Sequence, residues 1–293
     1  DIADVDRVYA PWPDMEKLLL SDREPLISLE MKRPLKSFDV IGFTLQYELN
    51  ATNILTMLDL SFIPLRSVNR SEGDPIIIAG GPGALAPMPY APFIDVFCMG
   101  DGEELVVELL TFLSESRLLK RHEKLKLLSE IDGCYVPMIS GPNKSVKRRI
   151  LSLQRAFAPE GCIVPSDKIV HDRASVEVFR GCSRGCRFCQ AGMIYRPVRY
   201  RKPEEVCRLA KKILSKSGYE ELGLVSLSTC DYPWLKDVLD NLSPFLSENK
   251  AVLNLPSLRM DKKAVDIALK LEHMRKKSLT FAPEAGTQRL RNV

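Results

Sequence analysis

Residues 176–190 read Val-Glu-Val-Phe-Arg-Gly-Cys-Ser-Arg-Gly-Cys-Arg-Phe-Cys-Gln, an apolar, strand-like run that ends in three closely spaced cysteines. The valines and phenylalanine favour a strand, and the glycine before the first cysteine favours a turn after it. Thiolates in tight groups bind either zinc or an iron–sulfur cluster. A closed structural zinc site takes four protein ligands and this loop supplies three, so the spacing favours a cluster with one iron left open.

The spacing Cys182-x-x-x-Cys186-x-x-Cys189, with Phe188 before the last cysteine, resembles the motif of radical S-adenosylmethionine (radical SAM) enzymes. The run over residues 176–199 is similar to a branch that carries a cobalamin-binding-like domain in front of the radical domain. The resemblance implies that the three cysteines bind a [4Fe-4S] cluster whose fourth iron chelates SAM. It also implies an enzyme that reductively cleaves SAM to methionine and a 5′-deoxyadenosyl radical.

Other interpretations of the cysteine loop stay open. A zinc site would need a fourth ligand such as His171 or Cys207, each more than ten residues from the loop. A ferredoxin-type cluster would also need a fourth cysteine. Arginines crowd around the loop, which is the electrostatic footprint of nucleic acid binding, although solvated faces give the same pattern. The alternative function is therefore a non-catalytic iron–sulfur or zinc module with a basic RNA-binding surface.

Length and composition indicate two domains and no membrane association. The chain has 293 residues, 45% of them hydrophobic, which exceeds what one core usually serves. No apolar run approaches the ~20 residues of a membrane-spanning helix. Eight cysteines with this spacing do not make a disulfide scaffold, so we expect a reducing cytoplasm, and we interpret Cys98, Cys134, Cys162 and Cys207 as buried thiols. Because the chain begins at Asp1, we expect a fragment.

The N-terminal part alternates strands with helices. Strands are predicted over 38–45, 75–79 and 96–99, with a helix over 50–60 and another from 105 onward. This alternation predicts a Rossmann-like parallel sheet covered on both faces.

Ligands of such a sheet bind beyond the carboxyl ends of its strands, where two glycine-rich turns follow the second and third strands. Neither turn has the Gly-x-Gly-x-x-Gly pattern of a nicotinamide site. Both are similar to the strand ends of cobalamin-binding domains, which implies a cobalamin site at Gly80, Gly81, Gly100 and Gly102. No histidine precedes His122, so either cobalamin binds without a histidine ligand or the domain is a structural lobe whose first strand lies outside this sequence.

The C-terminal part repeats a strand–helix unit about four times, with strands predicted at 176–180, 222–227, 252–255 and 278–281. The resemblance implies a partial (β/α)6 radical SAM barrel of TIM type. A closed eight-stranded barrel takes about 250 residues, so we expect a truncated barrel. The predicted domains are residues 1–131 (cobalamin-binding-like), a connector over 132–170, and residues 171–293 (radical SAM core).

Active sites of α/β barrels lie where strands end in loops. By position and by the resemblance, Ser228 and Thr229 contact the SAM amino group, and Arg259 holds the SAM carboxylate through a two-pronged hydrogen bond. Ser257 and Glu284 bind the ribose hydroxyls or the methionyl amine, and Phe188 completes the SAM site. The competing interpretation is that each polar residue satisfies nearby backbone groups or a neighbouring side chain.

Partners follow from the same resemblance. We expect an electron donor such as a flavodoxin or ferredoxin, an oxygen-sensitive cluster, and a substrate that is RNA or protein. Bound cobalamin would make methyl transfer the expected reaction, whereas methylthiolation or a related modification is expected without it.

Overall fold

The structure is a computed structural model, and it describes residues 2–154, 156–167, 169–256, 258–259, 265–267, 269 and 281–292. It divides into two units, Asp1–Leu151 and Ser152–Val293. The predicted site residue Ser257 and most of the predicted strand 278–281 lie outside the described residues.

The first unit is built on a four-stranded sheet ordered β1-β2-β3-β4. Strands β1 (Val40–Thr44), β2 (Ile76–Gly80) and β3 (Val96–Cys98) are parallel, and β4 (Cys134–Tyr135) is antiparallel to β3. Five helices accompany it: α1 (Pro13–Asp22), α2 (Asn50–Leu60), α3 (Gly102–Glu115), α4 (Arg121–Leu128) and α5 (Pro137–Ser140).

Both faces of this sheet are covered. Successive side chains of a strand point to opposite faces. Ile77 of β2 accordingly packs in one apolar cluster with α2, whereas Ile76 packs in a second cluster with α3 and α4. The prediction of a parallel sheet with helical layers is confirmed for this unit.

A buried ion network stabilises the opposite end of this sheet from the glycine-rich turns. Asp95, directly before β3, is fully buried, and its Oδ2 lies 3.0 Å from Arg70 Nη1 and 2.6 Å from Arg121 Nη2. The amide of Ile77 donates to the same oxygen at 2.8 Å. Buried charges must be paired in this way, because the desolvation of an unpaired charge is costly.

The second unit combines parallel strands with a hairpin. Strands β5 (Ala174–Glu177), β8 (Glu221–Val225) and β9 (Val252–Asn254) form a parallel sheet in the order β5-β8-β9. Strands β6 (Phe179–Arg180) and β7 (Arg199–Tyr200) pair antiparallel, and β10 (Leu258–Arg259) pairs parallel with β11 (Phe281–Ala282). The helices are α6 (Ala191–Ile194), α7 (Pro203–Ser217), α8 (Leu235–Glu248) and α9 (Gln288–Arg291).

The second unit is therefore a mixed α/β fold, and its strands do not close into a barrel within the described ranges. Helix α7 shows why these residues form the predicted layer. Pro203 suits the first helical turn, Gly218 takes the left-handed conformation at the end, and the apolar face of the helix packs on β5 and α8. Helix α7 thus belongs to a strand–helix unit of the kind that the repeat in the sequence predicted.

The segment predicted as a connector, residues 132–170, begins with structure that belongs to the first unit. Tyr135 of β4 is buried there, and the carbonyl of Arg149 accepts a bond from the amide of Asp101 at 3.0 Å. The division between the units falls after Leu151. One interpretation of the cysteines was wrong: Cys162 is exposed, because it lies in irregular chain that no apolar cluster of the described residues includes.

Candidate functional site

The three cysteines lie on a loop inside a hairpin. Strand β6 leads into the loop, α6 follows it, and β7 returns antiparallel to β6. Gly181 makes the hairpin possible: its φ is +91°, and a Cβ at this position would lie 2.6 Å from the carbonyl oxygen of Tyr195. Side chains rarely adopt this conformation and would not fit beside the returning chain. The glycine before the first cysteine is thus required by the fold.

Each cysteine sulfur is partly buried and faces an N–H donor. The amide of Arg184 lies 3.4 Å from Cys182 Sγ, the amide of Gly192 lies 3.4 Å from Cys189 Sγ, and Arg259 Nη1 lies 3.9 Å from Cys186 Sγ. Hydrogen bonds to sulfur stabilise the thiolates of iron–sulfur clusters and tune their potentials. The residues present therefore fit a [4Fe-4S] cluster.

Single-ion sites require a different geometry. Within the described part of the chain, no three His, Cys, Asp or Glu side chains converge as ligands of one metal ion. A cubane binds each thiolate to its own iron, so its ligands spread wider than those of one ion. The two residues considered as a fourth zinc ligand have other roles. Cys207 packs in the core of the second unit, where burial raises its thiol pKa, and the His171 ring contacts Arg173 at 3.2 Å.

The turn after β8 carries Ser228 and Thr229, both buried. The Ser228 hydroxyl donates to Asp231 Oδ2 at 2.8 Å, and the Thr229 hydroxyl lies 3.0 Å from the Ser226 hydroxyl. Local partners thus engage both hydroxyls, which is the competing role considered for these residues. The assignment of this turn to the SAM amino group stays a prediction.

Asp231 connects this turn to the cysteine loop. Its carboxylate accepts two hydrogen bonds from the guanidinium of Arg184, from Nε at 2.8 Å and from Nη2. Arg184 stands between the first two cysteines. Arg184 and Asp231 lie 47 positions apart along the chain, so nothing in the local sequence indicated this ion pair.

Arg259 is brought to the cluster side of the site. Its strand β10 contacts the turn Thr229–Asp231, and its Nη1 faces Cys186 Sγ. Its Nε is buried without a hydrogen-bond partner among the described residues. A buried donor that lacks a partner is costly and marks a place where a ligand oxygen would be stabilising.

Glu284 and Phe188 are exposed, whereas Arg259 is partly buried. Glu284 follows β11, whose Ala282 pairs with Arg259, so the two predicted residues belong to the same end of adjacent parallel strands. Glu284 is exposed and has a φ of +65°, a left-handed conformation that costs a non-glycine residue about 1–2 kcal/mol. The Phe188 side chain is 72% exposed on the cysteine loop. Neither SAM-binding role is tested by these contacts.

An aromatic cluster joins the two strands of the hairpin to the residues after the β8 turn. Phe179 of β6 and Tyr200 of β7 pack at 5.4 Å between ring centroids, and Tyr232, after the β8 turn, stacks on Phe179 at 6.2 Å. The Tyr232 hydroxyl donates to the Arg201 carbonyl at 2.7 Å. The association of these rings depends on tertiary packing, because they come from separate segments of the chain.

The four glycines in the turns of the first unit fall into two groups according to the space around them. A Cβ on Gly81 or Gly100 would lie 3.0 Å from Leu45 O or 2.1 Å from Arg149 O, and both residues have positive φ. These two glycines therefore accommodate the unit's own backbone. At Gly80 the nearest atoms would be 3.9 Å away, and at Gly102 nothing lies within 4 Å. The cobalamin role of the four glycines stays a prediction.

Comparison with known proteins gives matches over both units. Residues 2–137 match the family model of radical SAM proteins, N-terminal, and residues 176–293 match that of the radical SAM superfamily. The chain is 28% identical over 266 residues to an uncharacterised protein of Methanocaldococcus jannaschii. The matched region covers 90% of this chain and 53% of that protein. It is 26% identical over 133 residues to the anaerobic magnesium-protoporphyrin IX monomethyl ester cyclase of Cereibacter sphaeroides, covering 44% of this chain and 21% of the cyclase.

Two solved structures share the fold. The radical SAM methyltransferase TsrM of Kitasatospora setae matches with a TM-score of 0.55 at 14% identity, covering 94% of this chain and 52% of TsrM. The cobalamin-dependent SAM radical enzyme OxsB matches with a TM-score of 0.61 at 16% identity, covering 95% of this chain and 38% of OxsB. This chain thus spans about half or less of the length of these relatives.

No helix among the described residues has the length and apolarity needed to cross a membrane. The two family models together match most of the chain, and the second includes the three-cysteine hairpin. The chain belongs to the radical SAM superfamily.

Proposed function

We propose that this chain binds a [4Fe-4S] cluster and SAM and catalyses a SAM-dependent radical modification. The observation that carries this proposal is the trio of partly buried sulfurs on one loop, each facing an N–H donor, with the guanidinium of Arg259 beside one of them. When bound, the cluster supplies the electron that cleaves SAM to methionine and a 5′-deoxyadenosyl radical.

Arg259 is the proposed ligand of the SAM carboxylate. Its Nη1 lies 3.9 Å from Cys186 Sγ, and its Nε is buried and has no hydrogen-bond partner within the described ranges. A guanidinium binds a carboxylate through two parallel hydrogen bonds, one of which Nε can supply. The position therefore supports a carboxylate held directly beside the cysteine loop.

The remaining SAM contacts belong to the strand ends. The hydroxyls of Ser228 and Thr229 bond to Asp231 and Ser226, and their carbonyls accept the amides of Asp231 and Tyr232 at 2.9 and 3.1 Å. Each carbonyl oxygen keeps a second lone pair, so we assign the contact with the SAM amino group to these oxygens. Glu284, at the same sheet end as Arg259, is the proposed acceptor for ribose hydroxyls. Phe188 is the proposed apolar wall, and Ser257 keeps the role that the family resemblance implies.

Cobalamin-linked methyl transfer is the second candidate function. It is supported by a fold that is similar over both units to TsrM, whose structure includes cobalamin and a [4Fe-4S] cluster, and to OxsB, whose structure includes aqua-cobalamin. Gly102 has open space around it at the strand ends, and a Cβ on Gly80 would be in ordinary contact with Cys98 at 3.9 Å, so these two positions leave room for a ligand. Methylthiolation of RNA or protein is the expected reaction if cobalamin does not bind. A cytoplasmic setting and a flavodoxin or ferredoxin as electron donor complete the proposal.

Anaerobic purification and reconstitution test the proposal. We expect about four irons and four sulfides per chain, an electronic spectrum altered by SAM, and formation of 5′-deoxyadenosine with a strong reductant. Cys186→Ala should abolish this formation. Cys207→Ala, which removes a core thiol away from the loop, should retain it. One zinc and no sulfide in the wild-type chain would contradict the proposal, and a bound corrinoid spectrum would favour methyl transfer.

A further inference from the structure

The carboxylate of Asp231 has one partner on the cysteine loop and another within its own turn after β8. Its side chain is 9% exposed. Arg184 binds it from the cysteine loop with Nε at 2.8 Å and with Nη2, and Ser228 binds it from the β8 turn with Oγ at 2.8 Å. A two-pronged bond between a guanidinium and a carboxylate fixes orientation as well as distance.

Arg184 is itself fixed to the cysteine loop at several atoms. Its amide donates to Cys182 Sγ at 3.4 Å, and its carbonyl accepts a bond from Arg196 Nη2 at 3.3 Å. A shift of its side chain would therefore move the backbone next to Cys182. Through Asp231, the same shift would move Ser228 and the turn that it begins.

We infer that Arg184 and Asp231 are positioning residues that couple the cluster loop to the turn at Ser228 and Thr229. This inference rests on the proposed function, because it assumes a cluster on the three cysteines and SAM at the strand ends. Its consequence is that retention of the cluster and affinity for SAM depend on one ion pair. When two binding sites share such a residue pair, a ligand that changes the affinity of the other site has its own affinity changed by the same factor.

Three variants test the coupling: Arg184→Gln, Asp231→Asn and the double variant. Each side chain keeps its approximate size, while the charge is lost and the two-pronged bond with it. We expect each single variant to assemble the cluster, to bind SAM about tenfold more weakly, and to lose iron to a chelator about tenfold faster. The double variant should resemble either single one, because both remove the same interaction.

A readout on the apoprotein separates positioning from catalysis. The loop cysteines of the metal-free variants should react faster with a thiol reagent than those of the wild type, since the loop has lost its anchor. Arg208→Gln is the matched control: it removes an exposed arginine that bonds Glu205 through Nε at 2.8 Å, in the same unit. It should leave iron retention, SAM affinity and thiol reactivity unchanged.

The outcomes distinguish the two proposals. A wild-type chain that binds neither iron–sulfur cluster nor SAM overturns the proposed function, while the thiol-reactivity comparison still tests the anchor. A wild-type chain that binds both, together with variants equal to it in iron retention, SAM affinity and thiol reactivity, overturns the coupling alone. Additive losses in the double variant would also overturn it. Should Asp231→Asn fail to fold, Arg184→Gln, at a half-exposed side chain, gives the same comparisons.

Discussion

Gly181→Ala is expected to destabilise the second unit through a contact that the structure specifies. The substitution adds a Cβ 2.6 Å from Tyr195 O, 3.0 Å from Pro197 O and 3.2 Å from Val198 Cα. Backbone atoms cannot turn away as a flexible side chain can. The returning limb of the hairpin would therefore have to shift as a whole.

The magnitude has two parts. The left-handed conformation, φ +91°, costs a non-glycine residue about 1–2 kcal/mol. Forcing an additional carbon into packed surroundings typically costs another ~1–3 kcal/mol. We therefore expect a loss of about 3.5 kcal/mol in the free energy of unfolding, the middle of this sum. Such a loss is a large fraction of the stability of an ordinary domain.

Two other glycines separate these parts. Gly218 has a φ of +71° with nothing within 4 Å of an added Cβ, so Gly218→Ala should show the conformational part alone, about 1–2 kcal/mol. Gly185, in the cysteine loop, has open space, and Gly185→Ala should be close to neutral. The assay is denaturant unfolding of the metal-free chain followed by circular dichroism, with the slope compared between variants. If Gly181→Ala costs no more than Gly218→Ala, the argument from the close approach is refuted.

Three further predictions concern the ion network, the SAM site and acid stability. Asp95→Ala leaves Arg70 and Arg121 buried without their carboxylate, so it should lower the free energy of unfolding by about 3–5 kcal/mol in denaturant. The control Asp59→Ala, at an exposed position on α2, should change this free energy little. Arg259→Leu should weaken SAM binding about 10- to 100-fold in anaerobic equilibrium binding and Arg259→Lys by less; unchanged affinity in both would contradict its role. Hydrogen bonds from Lys212 and Arg208 lower the pKa of Glu160 to about 2 from 4.5. Because the folded-state pKa is depressed, the stabilisation is present above pH 4.5 and is lost as the pH falls through 2, so Glu160→Gln should reduce the acid dependence of unfolding; an unchanged pH profile would argue against it.

The sequence predicted those elements whose formation depends on neighbouring residues. The cysteine loop, the amphipathic α7 and the strands before the glycine turns each have their cause within about fifteen residues, so spacing and residue type were sufficient for them. The connector was less predictable. Its first part has loop-like composition, yet it adds β4 to the sheet because β3 offers a free edge to a short strand.

The contacts of the candidate site could not be predicted, because they join residues that are far apart in the sequence. Arg184 lies between two cysteines, and Asp231 follows a strand end by several residues. Nothing in either neighbourhood indicates the other, because the pairing arises from β8 lying next to β5 in the sheet. The same placement gives the Ser228 hydroxyl a partner in Asp231, which the local sequence did not indicate.

These contacts assign different tasks to the residues of one motif. The cysteines provide the sulfurs, but the residues between and beside them determine where those sulfurs lie: Gly181 admits the returning strand, Arg180 bonds the Glu177 carboxylate at 2.9 Å, and Arg184 reaches Asp231. Arg180 thus joins the hairpin to the end of β5, and Arg184 joins the cysteine loop to the turn after β8. A variant that keeps all three cysteines but loses one anchor should therefore retain the capacity to bind iron and lose the alignment of the cluster with the strand ends. Cysteine spacing predicts that a cluster binds, and we expect the intervening residues to determine what the cluster faces.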